Sequence, residues 1–344
     1  MIHPQGPSLR RRIVGLYGLL IGANLAAWVW AYTAFSDNPT ALGTAFLAYA
    51  FGLRHAVDPD HIAAIDNVTR KVMQDGKRPM TVGLWFALGH SSTVVLAAIA
   101  IALMTTSLAA SFEGVREVGA LIGTTVSAVF LLLIGLLNLV ILGDVWRSFQ
   151  RARRDGNREV DGFDKTLPGG GILARVLSPL FRLISRSWHM YPLGFLFALG
   201  FDTTTEVSLL GMSAAEAGRG SSLWQILVFP TLFTAAMTLV DTTDGILMLG
   251  AYGWAYVKPA RKLFYNLIIT FTSAIVALLI GGLEALHLVN EKLALQGVFW
   301  NWVEAVNENF GALGFAIIGL FAAAWMLSVA FVRFSQPYES KVRS

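Results

Sequence analysis

The chain has no cysteine in 344 residues, and only 14% of its residues are charged, where soluble domains carry about 25%. The first absence excludes disulfides and thiolate metal sites. The second, beside 55% hydrophobic residues, excludes an ordinary water-soluble protein. No polar stretch is long enough to hold a soluble catalytic domain, and the metallohydrolase motif H-E-x-x-H does not occur.

In their place stand apolar runs of roughly 20 residues, the length at which a helix crosses about 30 Å of hydrocarbon. The expected fold class is an all-α polytopic membrane protein with eight transmembrane helices. The spans fall at about 13–35, 41–67, 82–110, 119–142, 190–213, 223–257, 262–289 and 310–332. The first follows three arginines and is too long for a signal-peptide core, so it reads as an uncleaved anchor. With the N-terminus inside, inner segments hold 22 of the 26 Lys and Arg, and the outer loops only Arg116, Arg219 and Lys292. This asymmetry puts both termini in the cytoplasm. The long inner segment 143–189 reads as a polar linker followed by a basic amphipathic helix (Arg175, Arg182, Arg186) lying on the inner leaflet.

Polar residues inside the spans carry the functional information. The second span contains RHAVDPDHIAAIDN, residues 54–67, with Arg54, His55, Asp58, Asp60, His61 and Asp66. The third contains His90 in LGHSS, the fifth Asp202 and Glu206 in LGFDTTTE, and the sixth Asp241 and Asp244 in DTTDG. Counted along straight helices, His90 and Asp202 lie near mid-membrane, His55 slightly inward, and Asp60, His61 and Asp241 deeper on the cytoplasmic side. Exposed to lipid, the six carboxylates 58, 60, 202, 206, 241 and 244 would cost on the order of 15–20 kcal/mol. A shared polar interior, a counter-ion, or both must offset that cost.

Pro59 argues against one continuous second helix, because it removes an amide donor and biases Asp58 toward extended geometry. The parse is two half-helices, with Asp58 at the N-cap, Pro59 at the first helical position, and the carbonyl of His55 left free to face a cation. Arg54 is expected to pair with an acid, Asp58 being four residues on. Asp241 and Asp244 before Gly245 suggest another break, since 223–257 as one helix would run about 52 Å. Singly, each residue has a structural explanation: a cap, a threonine bonded back to its own helix, a hydrogen-bonded interior histidine. Those explanations do not account for four spans carrying acids and histidines at similar depth. Imidazole with carboxylate suits a borderline divalent transition ion, and ligand type alone does not separate nickel from cobalt or zinc. A relay that moves only protons is compatible with the same residues.

The pattern resembles the nickel/cobalt transporter family of bacterial permeases. RHAVDPDHI is similar to that family's R-H-A-(V/F)-D-A-D-H-I signature, which contains H-x4-D-H. LGHSSTVV, LGFDTTTE and AAMTLVDTTDG resemble its second, third and fourth motifs, so that the four motifs fall in the second, third, fifth and sixth spans. Pro59, Thr204 and Ala236 depart from the family's Ala, Ala and Gly, and none of the three removes a ligand. The resemblance implies uptake of Ni²⁺ or Co²⁺ across the bacterial cytoplasmic membrane, with His55, Asp60 and His61 essential. The expected metal-ligating set is His55, Asp58, Asp60, His61, His90, Asp202, Glu206 and Asp241. The expected partners are a divalent transition ion and the lipid bilayer, not nucleic acid, and no cofactor is expected beyond the transported ion.

FGLRHAVDPDHIAAI and FALGFDTTTEVSLL both place acids after an F-x-L start, on spans of opposite direction. Spans 2–4 and 5–7 therefore read as an inverted three-helix repeat with the site between them. Seven acids against three bases in the outer loops would concentrate cations there. For a divalent ion the membrane potential supplies about 4.6 kcal/mol per 100 mV, so uptake does not require proton coupling, and the sequence leaves coupling open. Metal efflux by proton exchange and, further off, an intramembrane metal hydrolase are the competing classes.

Overall fold

Prolines punctuate an otherwise helix-forming chain, and four of them start helices. A computed structural model describes residues 7–103, 109–154, 184–200, 203–255 and 259–335. Among these residues the secondary structure is entirely helical: α1 (Pro7–Phe35), α2 (Pro39–His55), α3 (Pro59–Gln74), α4 (Val82–Leu103), α5 (Ala109–Arg154), α6 (Met190–Phe197), α7 (Thr204–Gly218), α8 (Leu223–Ile226), α9 (Val228–Ala255), α10 (Pro259–Leu293), α11 (Val298–Glu308) and α12 (Phe310–Ser335). Short 3₁₀ turns, Ser187–His189 and Ala198–Gly200, flank α6. The chain is an all-α membrane protein that crosses the bilayer several times. Six of its helical stretches are long and apolar enough to cross, at Leu9–Phe35, Val82–Leu103, Val118–Gly143, Leu223–Gly253, Leu267–Leu293 and Phe310–Leu327.

Two further apolar segments are broken. Pro39 and Pro59 each occupy the first turn of a half-helix, where a missing amide costs nothing. Between them Ala56–Asp58 interrupts the ladder, and Asp58 takes the extended N-cap geometry that proline imposes on its predecessor (φ −65°, ψ 143°). The second break separates α6 from α7, where Thr203 is an extended N-cap whose hydroxyl accepts from the amide of Glu206.

Hydrocarbon offers no hydrophobic drive between helices, so association depends on close contact through small residues. Ala41, Ala45, Ala48 and Gly52 form such a stripe on α2, buried against the α9 face that carries Phe229, Phe233 and Ala236. A Cβ at Gly83 of α4 would collide with the carbonyl of Asp241 on α9, so glycine there sets how near α4 comes to that aspartate. α4 also packs on α6 and α7, α5 packs along α10, and α3 touches α9, α10 and α12.

Two expectations change here. α9 runs unbroken through Asp241–Gly245, because Gly245 is buried in the helix against Gly83 and Ile65 and serves close packing, not a break. The discontinuity of that segment comes earlier, between α8 and α9. The carbonyl of His55 is not free either, since it accepts from the amide of Asp58 at 2.9 Å. The inner-leaflet amphipathic helix, with Arg175 and Arg182, lies outside the described residues, and Arg186 is an exposed residue just before α6.

Candidate metal centre

The break between α2 and α3 places His55 as the last residue of one half-helix and His61 in the first turn of the next. A straight helix would separate them by about 9 Å of rise. Instead their rings lie 4.7 Å apart, and both lie 4.7 Å from the ring of His90 on α4. The three imidazoles thus form an equilateral triangle, and one ring nitrogen from each falls within 4.8 Å of the others. All three side chains are buried, at 1%, 0% and 3% exposure. Phe86 stands edge-on to His61 at 4.8 Å and Phe233 lies 5.4 Å from His55, walling the cluster with aromatic carbon.

Carboxylates approach from three sides. Asp58 Oδ2 is 2.8 Å from His55 Nδ1, and its side chain makes no cap bond to α3. Thr205 Oγ1 reaches the same nitrogen at 3.2 Å. A carboxylate accepts, so Nδ1 carries the hydrogen and the lone pair of neutral His55 is on Nε2. That Nε2 lies 2.8 Å from His90 Nε2, which is also 2.8 Å from Glu206 Oε1. His55 Nε2 and Glu206 Oε1 are 3.8 Å apart. Two lone-pair atoms, His55 Nε2 and Glu206 Oε1, therefore face the single hydrogen of His90 Nε2, which can serve both only by being shared. Thr203 Oγ1 donates to Glu206 Oε2 at 2.9 Å and fixes the carboxylate plane.

His61 is the least satisfied member. Its Nδ1 is 3.4 Å from Asp241 Oδ2, within ion-pair range but out of line for a hydrogen bond. Neither ring nitrogen of His61, neither oxygen of Asp241, nor Nδ1 of His90 has a hydrogen-bond partner. Buried polar atoms left in this state are costly unless something else occupies them.

Of the expected set, the structure brings together His55, Asp58, His61, His90, Glu206 and Asp241. Asp60 is half-buried in the first turn of α3, where its charge acts on His55 and His61. Asp202 lies outside the described residues. Arg54 does not pair with Asp58: it is exposed beside Gly311, and Asp58 is taken by His55. Thr205, Phe86 and Phe233 were not foreseen. The one signal for Thr205 was its place beside Glu206, and nothing marked the phenylalanines in a chain with 22 of them.

A family described as high-affinity nickel-transport protein matches residues 41–331, a segment that holds every residue of the cluster. The chain belongs to that family. A high-affinity nickel transport protein of Cupriavidus necator is 59% identical over 335 residues, 97% of this chain and 95% of its own. The hydrogenase nickel incorporation protein HupN of Bradyrhizobium diazoefficiens is 54% identical, over 92% of this chain and 83% of its own. The cobalt transport protein NhlF of Rhodococcus rhodochrous is 36% identical, over 94% and 92%. No solved structure matches the chain.

Proposed function

We propose that this member of the nickel-transport family is a permease, not an enzyme, importing Ni²⁺ or Co²⁺ across the bacterial cytoplasmic membrane through the histidine–carboxylate cluster. The observation that carries the reading is the convergence of His55, His61 and His90, with Glu206 and Asp241, on one buried point inside a bundle of apolar helices. Histidine and carboxylate without thiolate are the ligands of a borderline divalent ion. Relatives named for nickel and for cobalt support the substrate class.

In this reading His55, His61, His90, Glu206 and Asp241 hold the ion, with Asp202 joining them from the second break. Asp58 holds His55 with Nε2 toward the ion, and Asp60 adds negative charge. The two broken segments, α2–α3 and α6–α7, are the second and fifth spans, which with the six long stretches makes eight. The packing supports an inverted repeat: α2 on α9 mirrors α6 on α4, and α4 meets α9 as α5 meets α10. Lys and Arg asymmetry keeps both termini in the cytoplasm, so the membrane potential drives a divalent cation inward.

The test is uptake of radiolabelled nickel by cells carrying the chain, in competition with cobalt, zinc and manganese. Accumulation that cobalt suppresses and manganese does not is the expected result. Accelerated loss from preloaded cells, without uptake, would reverse the direction assigned.

A further inference from the structure

Nine residues beyond His61, α3 carries a second charged group into the interior. Arg70 is 3% exposed and lies about 13 Å along the helix from His61, toward the end assigned to the cytoplasm. Its guanidinium donates to Thr270 Oγ1 on α10 at 2.9 Å, to Asn67 Oδ1 at 3.4 Å, and to Asn138 Oδ1 on α5. Asn138 donates onward to Asn67, whose own amide is held by the carbonyl of Ala63 at 2.6 Å. One turn nearer the histidines, Asp66 accepts from Tyr252 on α9 and from Ser273 on α10, the latter at 2.6 Å. Polar bonds thus tie α3 to α5, α9 and α10 in a layer directly inward of the metal centre. Beyond it, Lys71 Nζ and Lys77 Nζ donate to the carbonyls of Ile184 and Ser185 at 2.9 and 2.7 Å, and hold the chain that leads into α6 against the same end of α3.

The hydrogen-bond partners of Arg70 are all neutral, so none of them requires its charge. A guanidinium cannot lose its proton, and a permanent charge in a membrane interior is expensive. What uses that charge is the acidic line above it: Asp66, on which the Arg70 charge acts, and Asp244, which feels both Asp66 and Asp241 and has a buried oxygen without a partner. An arginine fixed across a pore repels cations.

We propose that Arg70 is the inner gate of the ion path. While the path is empty it stands as a tethered cation, balancing the carboxylates and closing the way from the metal centre to the cytoplasm. When an ion reaches Asp244, whose buried oxygen has no partner, repulsion drives the guanidinium from its neutral partners, and the long stem lets the head swing toward cytoplasmic water without moving α3. This rests on the uptake reading and its orientation, so the experiment reads gate and transport separately.

Because the chain has no cysteine, one introduced thiol reports on water access. Thr242→Cys replaces a buried hydroxyl that has no partner, between Asp241 and Asp244. In inside-out vesicles without metal, a charged, impermeant thiol reagent should label it slowly in the parent and roughly tenfold faster with Arg70→Gln, as expected for losing a charged hydrogen-bonded lock. The same Arg70→Gln vesicles, loaded with radiolabelled nickel, should lose it faster than Arg70→Lys, which keeps the charge but not the fork. Should Arg70→Gln fail to insert, Asn138→Leu and Thr270→Val loosen the tether and should also speed labelling. Unchanged labelling in the inserted variants, or equal nickel leak from the Gln and Lys forms, overturns the gate. Absence of nickel uptake by the parent would instead strike the uptake reading, since labelling needs no metal.

Discussion

Two polar layers lie along α3, and they are built in opposite ways. At the outer layer His61, His90 and Asp241 keep buried atoms without partners, and two acceptors crowd one hydrogen. At the inner layer Asp66, Asn67, Arg70 and Asn138 close their bonds on one another and on Tyr252, Thr270 and Ser273. A network satisfied by the protein itself specifies one packing and has no room for a guest. An unsatisfied one is stable only when a ligand completes it. In the proposed reading the difference separates the layer that binds from the layer that locks, although both are built from buried polar side chains.

Breaking the outer layer should have the larger effect. His61→Ala removes a ligand with no neighbouring donor to replace it, and nickel uptake should fall by more than about 100-fold while the protein still inserts, as measured by transport against membrane-protein level. Near-normal uptake would falsify its place in the metal centre. Asp58→Ala should weaken nickel affinity by about 10–100-fold, because it frees the His55 ring without touching a ligand atom. Since the Asp58 side chain makes no cap bond, α3 should survive this change, and circular dichroism of the purified variant should match the parent.

The inner layer should respond in stability before affinity. Tyr252→Phe takes one donor from Asp66, which keeps Ser273, and should cost about 1–2 kcal/mol in thermal unfolding with nickel affinity unaltered. A large affinity loss from this change would erase the distinction between the layers. The smallest effect belongs to Pro59→Ala. The amide of Asp58 already satisfies the carbonyl of His55, so the new donor at residue 59 finds no free acceptor there. Nickel affinity should stay within about twofold, about 0.4 kcal/mol, in concentration-dependent uptake.

Legibility in the sequence followed the range of the interactions. Helical class, multiple crossings and family were readable because hydropathy and four motifs are local properties of the chain. Pro59 announced the first break for the same reason. The distance between the histidines was not legible, because a count along straight helices separates His55 and His61 by about 9 Å, whereas the break brings His61 back beside His55 and His90. Gly245 was read as a breaker, but its role depends on Gly83 of another helix. Asn138 and Ser273 carry no signal of their own in apolar spans. Their partners are 71 and 207 residues away along the chain, beyond any periodicity.

The gap at Ala56–Asp58 is also a joint. α2 is stapled to α9 by its stripe of small residues, while α3, about 24 Å long, is a separate arm tied to α5, α9 and α10 by polar bonds. A continuous helix would carry His55 and His61 together in any tilt. Across a joint, a 10° tilt of α3 is small at the pivot and grows outward, to about 1 Å at His61, 3 Å at Arg70 and 4 Å at the far end. Metal–ligand distances tolerate only about 0.2 Å. A single modest rotation would therefore loosen the grip on the ion at one end of the arm and shift the inner layer at the other.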